Sequence, residues 1–309
     1  MSSRLSVAGL AHLAVVYVVW GSTYLAIRLA VRDGAGWGPF WLGATRVAVA
    51  GLGLLVIAAV LRRRMWPTRR ELVVIAVSGV LMWVGGNGGV NWAEQTVDSG
   101  LVALIVGTMP MWVAVMEAVL DRRPPSGILA LSLVVGFCGL VVLTLPLLRQ
   151  GMSGDVAGAA AVIVGTIAWG SGSLVLRRRP LSLAPRVAAG WQLLAGAAGF
   201  SLVALAIGEP APQPTAVAWA AWAYLVLFGS VIAFTSYLTA LQLLPTAVVM
   251  TYTYVNPVIA VALGWLFVGE PITGTAVCGM ALILGGVWGV FFERTQRMSP
   301  LAVGGPGDG

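Results

Sequence analysis

Apolar residues run along this chain in ten blocks of about 20, separated by short polar or basic connections. A block of that length, wound as a helix, crosses the ~30 Å hydrocarbon layer of a bilayer. The blocks lie near 10–30, 39–61, 72–93, 99–120, 126–147, 156–176, 184–207, 216–241, 247–267 and 273–292. They predict an all-α integral membrane protein with ten transmembrane helices, neighbours joined as hairpins. The longest connections are the basic Arg62–Glu71 and the proline-rich Glu209–Pro214. The polar, glycine-rich end Gly304–Gly309 is expected to be disordered.

Charge then orients the helices. The chain has no lysine, so arginine supplies all 18 positive charges. With ten spans and a cytoplasmic N-terminus, Arg4, Arg62, Arg63, Arg64, Arg69, Arg70, Arg122, Arg123, Arg177, Arg178, Arg179, Arg186, Arg294 and Arg297 fall inside. Arg32 and Arg149 fall in outer loops, and Arg28 and Arg46 within spans. So lopsided a distribution satisfies the positive-inside rule and predicts that both termini are cytoplasmic. Hydrophobic residues make up 59% and charged residues 9%, and the mean hydropathy is +0.93, which leaves little room for a soluble domain. The pI near 10.2 does not point to nucleic acid, because the basic residues sit at span ends, where they set topology and meet lipid head groups. The first apolar run is long enough to span and lacks a small-residue cleavage site, so no cleaved signal peptide is expected. Cys138 and Cys278 lie inside apolar runs at different expected depths, which predicts free buried thiols and no disulfide.

The chain also repeats itself at an offset of about 147 residues. Trp20-Gly21-Ser22 returns as Trp169-Gly170-Ser171, Pro39 as Pro185, Gly79 as Gly229 and Pro110 as Pro257. Pro124-x-x-Gly127 returns as Pro271-x-x-Gly274 and Gly139 as Gly286, while Arg46 falls opposite Gln192. The expected units are residues 8–148, residues 155–292 and a disordered cytoplasmic tail, 293–309. Five spans per unit is an odd number, so the second unit inserts upside down relative to the first. Such a 5+5 inverted repeat is the architecture of secondary transporters.

Polar groups at membrane depth supply the candidate chemistry. Asn87, Asn91, Glu94 and Asp98 are spaced four, three and four apart, on one helical face climbing toward the outer surface. A buried charge costs roughly 2.5–3.5 kcal/mol on insertion scales, so Glu94 and Arg46 should face a cavity or a partner. Glu94 reads as a proton-coupling or amine-binding carboxylate, or as the wetted end of its span. Arg46 reads as its ion partner or as a ligand for a solute carboxylate. Glu117 is expected to pair with Arg122 or Arg123. Of 40 glycines, most serve helix packing. The run Gly85-Gly86-Asn87-Gly88-Gly89 predicts a hinge or a substrate-facing kink. Trp37, Trp41, Trp66, Trp219 and Trp222 fit interfacial belts. Tyr17, Trp20, Tyr24, Trp83, Trp112, Trp169, Tyr237, Tyr252 and Tyr254 lie deeper, where aromatic faces can pack or line a cavity. Asn256-Pro257 frees a carbonyl near 253, and Thr108 with Pro110 is the matching irregularity in the fourth span. The single histidine, His12, excludes a histidine-based metal or triad site, and no phosphate-cradling glycine loop appears. No catalytic residue, metal or cofactor is expected.

These motifs resemble the drug/metabolite transporter superfamily, in particular its ten-span EamA-type proteins, over about Val15 to Phe292. The resemblance is carried by Trp20-Gly21-Ser22-Thr23-Tyr24, Gly43-Ala44-Thr45-Arg46, Gly86-Asn87 with Ala93-Glu94, Tyr252-x-Tyr254-Val255-Asn256-Pro257-Val258 and Gly269-Glu270-Pro271-Ile272-Thr273. The first half departs from the pattern at Asp121-Arg122-Arg123-Pro124, which stands opposite Val268-Gly269-Glu270-Pro271. The resemblance implies an exporter of amino acids, related metabolites or amphipathic drugs, with a cavity between the halves, in the cytoplasmic (inner) membrane of a bacterium. The expected substrate-binding set is Trp20, Tyr24, Arg46, Asn87, Asn91, Glu94, Thr108, Trp112, Trp169, Tyr237, Tyr252 and Asn256. Expected partners are a small-molecule substrate and membrane lipids, not nucleic acid, in a monomer or homodimer. A membrane-embedded lipid-modifying enzyme is the reading the repeat argues against.

Overall fold

The computed structural model describes residues 5–97, 99–149, 156–263 and 272–298, and these are helical, with no strand among them. Ten helical segments follow one another: α1 Val7–Val31, α2 Pro39–Val60, α3 Arg69–Ala93, α4 in two pieces (Ser99–Val106 and Met109–Asp121), α5 Gly127–Arg149, α6 Val156–Arg178, α7 Pro185–Ala206, α8 Ala216–Leu243, α9 in two pieces (Thr246–Met250 and Tyr252–Leu263) and α10 Gly274–Met298. Among the described residues nine helices are long and apolar enough to cross a membrane. The remaining predicted run, 247–267, corresponds to α9 and continues beyond the described residues. Arg4, Asp98, the stretch 264–271 with Glu270, and the tail Gly304–Gly309 also lie outside them.

Local chemistry sets the helix ends. Thr68 and Thr215, one repeat offset apart, are the N-caps of α3 and α8, their hydroxyls accepting from the backbone N–H of Glu71 and Ala218. Pro39 and Pro185 open α2 and α7, where a missing donor costs nothing. The last helix runs to Met298, past the expected end at 292 and into the expected disordered tail. Glu293 accepts from the Ser126 hydroxyl at 2.8 Å, and Arg294 reaches Glu117 at 3.7 Å, which anchors that turn. Glu117 therefore faces Arg294 rather than the expected Arg122 or Arg123.

The two repeats pack through related contacts: α3 and α4 lie against α6, while α8 and α9 lie against α1. Where α2 crosses α7, a methyl added to Gly51 would stand 2.9 Å from the Gly190 carbonyl oxygen. Between α5 and α10, a methyl on Gly139 would stand 2.6 Å from the Ile283 nitrogen, and one on Gly286 2.5 Å from the Gly136 nitrogen. In lipid no water drives helices together, so this backbone approach supplies dispersion contact that larger residues would forbid. The glycine run of α3 serves the same end. Added methyls at Gly85, Gly86 and Gly89 would strike Ala168, Trp169 and Ala161 of α6 at 2.7–2.8 Å. Cys138 and Cys278 are free thiols, but exposed on the outer surface of the α5–α10 pair rather than buried in protein; a small apolar side chain suits that surface.

One end of the bundle collects the arginine-bearing connections. Arg178 meets Asp121 at 2.7 Å, Arg177 donates to the Leu241 carbonyl at 3.0 Å, and Glu71 accepts from Ser182. The start of α1 is there too, Gly9 packing on Leu243 and Leu244, as is the end of α10. Gly286→Leu is expected to destabilise the fold by about 1–3 kcal/mol through overpacking, read as a lower melting temperature in detergent, whereas Gly285→Leu, with open space around it, should leave it unchanged.

Candidate functional site

Irregular backbone gathers where the repeats meet. The middle of α3, Val80–Asn87, and of α8, Leu225–Ala233, are π-helical, and α4 and α9 break at Thr108 and Thr251. At each break the threonine hydroxyl donates to the carbonyl three residues back, Thr108 to Ile105 and Thr251 to Val248, both at 2.6 Å. Each hydroxyl thus finds its acceptor within its own helix, where lipid offers none. Just before Pro257, the Asn256 amide, its nitrogen facing oxygen acceptors, donates to the carbonyls of Tyr252 (2.9 Å) and Tyr17 (3.2 Å).

An aromatic cluster fills the seam. Trp20 and Trp169, the repeated tryptophans, meet edge to face at 5.4 Å, and Tyr237 and Tyr252 pack on Trp20 at 5.1 and 5.0 Å. Trp83 adds an edge contact to Trp169 at 5.9 Å. The buried indoles are satisfied unequally. Trp20 Nε1 donates to the Gly229 carbonyl (3.0 Å) and Trp169 Nε1 to the Tyr237 hydroxyl (3.2 Å), while Trp83 Nε1 has no partner among the described residues.

Beside this cluster lies a narrow cavity of about 70 Å³. Of the expected site residues, Trp20, Tyr24, Arg46, Asn87, Trp169, Tyr252 and Asn256 line it. The others do not. Tyr237 stands behind the tryptophan wall, hydrogen-bonded to Ser173 at 2.6 Å. Asn91 donates to the Pro39 carbonyl (3.1 Å) and so ties α3 to α2. Trp112 donates to the Thr108 hydroxyl on the flank of α4, 38% exposed. Glu94 is fully buried and lies 4.0 Å from Arg28, whose guanidinium also donates to the Glu94 and Val97 carbonyls. Glu94 therefore joins the ends of α3 and α1, and its neighbour is Arg28 rather than Arg46.

Arg46, 2% exposed, is the charge in the cavity wall. Its Nε donates to the Ser230 hydroxyl at 2.8 Å and its guanidinium lies 5.4 Å from the Trp83 ring centre. Among the described residues its Nη1 is buried without a hydrogen-bond partner, and no carboxylate pairs with it. The cavity-lining Asn87 likewise has an unsatisfied side-chain oxygen. In the other repeat Gln192, opposite Arg46, donates to Ser78 at 2.7 Å. Thus each α2-type helix reaches a serine of the opposite repeat, with charge on one side only. Sequence reading missed Ser230 and Thr166. A signal for Ser230 was present: it lies one repeat offset from Trp83, and these two side chains hold the guanidinium.

Matched latches hold the ends. Glu209 accepts from the backbone N–H of Phe40 (3.1 Å) and Trp41 (2.6 Å), capping α2, and its carbonyl accepts from the Trp41 indole (3.1 Å). At the opposite end the Trp191 indole donates to the Met65 carbonyl (2.8 Å).

A helical bundle of two repeats around a buried, partly polar cavity is the build of a multi-pass membrane transporter. The chain belongs to the EamA-like transporter family, whose pattern matches twice, over residues 7–145 and 156–292. It is 31% identical over 260 residues to the "uncharacterized inner membrane transporter YedA" of Escherichia coli, covering 84% of this chain and 82% of that one. It is 27% identical over 277 residues to a Streptantibioticus cattleyicolor protein bearing the name "probable terminal-alkyne amino-acid exporter", covering 89% and 90%. A protein crystal structure at 22% identity superposes with a TM-score of 0.76 over 96% of this chain and all of that one, a likeness of fold alone.

Glu209→Ala removes a charged acceptor from the first turn of α2 and should cost about 1 kcal/mol, measured as a lowered melting temperature of the purified protein.

Proposed function

We propose that this protein is a ten-span exporter of small carboxylate-bearing solutes, amino acids or related metabolites, working by alternating access in a bacterial inner membrane. The carrying observation is Arg46, a buried guanidinium in an aromatic cavity wall with no protein counter-charge among the described residues. Planar guanidinium matches carboxylate geometry, and Trp20, Trp83, Trp169 and Tyr252 offer ring faces to the rest of a compact solute. The small free space favours an amino-acid-sized solute in this conformation. Efflux of amphipathic cations, supported by the same aromatics, is disfavoured by the positive charge beside them. The relative named as an amino-acid exporter supports the first reading.

The arginine-rich end is proposed to face the cytoplasm, with both termini, and the five-helix repeats to be inverted about an axis in the membrane plane. Glu94, beside Arg28, is proposed to govern access at the outer end rather than to touch solute. A cysteine at position 63 should then react with an impermeant thiol reagent only in inverted vesicles, and one at position 212 only in intact cells, in a background lacking Cys138 and Cys278.

Uptake of labelled amino acids and of a cationic dye by reconstituted protein tests the function. Arg46→Gln, which places in α2 the residue α7 already accommodates, should raise KM for amino acids by roughly 10–100-fold, the worth of a charged hydrogen bond, and should not weaken uptake of the dye, a poor substrate of the wild type. Unchanged amino-acid uptake in Arg46→Gln would refute the anchor. Accumulation under an imposed pH gradient marks proton coupling, and equilibration alone marks a facilitator.

A further inference from the structure

A second concavity lies on the outer surface of the bundle, at its arginine-rich end. There α3 and the second piece of α4 both pack on α6, and α6 forms the floor of a groove between them. At about 860 Å³ this groove is far larger than the central cavity of about 70 Å³. Its walls are Val73 and Val77 of α3 and Val115 and Val119 of α4, over Leu174 and Val175 of α6. The wall valines are strongly exposed, Val73 by 62% and Val119 by 71%, whereas Leu174 is buried. From Arg70 to Val77 the groove follows α3 for about 10 Å at 1.5 Å per residue, most of the ~15 Å depth of one leaflet.

Three arginines close the mouth of this apolar slot: Arg70, Arg178 and Arg179. Arg178 is engaged by Asp121 at 2.7 Å. Arg70 and Arg179 are exposed, and neither makes an ion pair or side-chain hydrogen bond among the described residues. We propose that the groove is a binding site for an anionic phospholipid, one acyl chain lying along the valine walls and the head-group phosphate held by Arg70 and Arg179. Guanidinium pairs readily with phosphate, and basic pockets between helices at a membrane surface recognise anionic head groups in this way. A free phosphate would leave the valine walls unused. A second copy of the chain is a poorer occupant, because an isologous contact would bury these arginines with no carboxylate left to meet them.

Native mass spectrometry of protein released from nanodiscs of equal phosphatidylglycerol and phosphatidylcholine tests the site. The wild type is expected to retain phosphatidylglycerol preferentially. The pair Arg70→Gln/Arg179→Gln should lower that preference by up to about 25-fold, two arginines at roughly 1 kcal/mol each near the surface converted at 1.4 kcal/mol per tenfold. The pair Arg63→Gln/Arg186→Gln carries the same charge change on exposed positions outside the groove and should keep it. Val77→Trp, which fills the slot from an exposed position, should release the lipid while leaving the melting temperature unchanged. Equal retention of the two lipids by the wild type, an equal loss in the control pair, or a dimeric particle that protects Val119 from solvent labelling would each overturn the proposal.

Discussion

Hydrocarbon offers nothing to a backbone carbonyl that has lost its helical partner, and that constraint arranges this molecule. Every departure from α-helical geometry inside the bundle is placed where protein can answer it. The π-helical stretches of α3 and α8 face α6 and α1, and the breaks in α4 and α9 are bridged by backbone bonds from Thr108 to Ile105 and from Thr251 to Val248, with each threonine hydroxyl bonded to the same carbonyl. The regular helices, α2 with α7 and α5 with α10, form tightly apposed pairs whose glycines bring backbones together. The cavity lies where the two kinds meet, lined by the regular α1, α2 and α6 and by the interrupted α3, α4 and α9.

The two repeats share these devices but not their chemistry. Arg46 and Gln192 make equivalent reaches to serines, yet only one brings a charge, and the cavity forms beside that one. Trp20 and Trp169 are likewise equivalent in sequence and meet in space, but one indole bonds to a backbone carbonyl of α8 and the other to the Tyr237 hydroxyl. Symmetry supplies the frame, and single substitutions within it supply a polarised site.

Much of this was legible in the chain. The all-helical build and most helix positions follow from apolar block length, and the twofold family match accords with paired prolines, glycines and tryptophans, because these residues act through backbone geometry that a pattern preserves. The lining role of Trp20, Arg46, Asn87 and Asn256 was legible as polarity or aromaticity at depth. The neighbour of Glu94 was not: helical spacing places a residue on a face, but which helix meets that face depends on packing, and Arg28 stands closer than Arg46. The extension of α10 through Glu293 and Arg294 escaped for the same reason, since its anchors, Ser126 and Glu117, lie far away in sequence. Tyr237 shows the converse, an aromatic at the right depth that props the wall instead of lining it.

The bare Nη1 of Arg46 bears on how such a carrier would cycle under the proposed function. A buried cation without a counter-ion makes the vacant protein the strained member of the cycle, and a bound carboxylate relieves that strain. Passing through a closed intermediate without cargo would seal that charge away from water and from any partner, so reorienting with cargo is the easier step. A carrier of this kind trades one solute for another across the bilayer faster than it moves solute one way, and its net flow is set by how readily the vacant form returns.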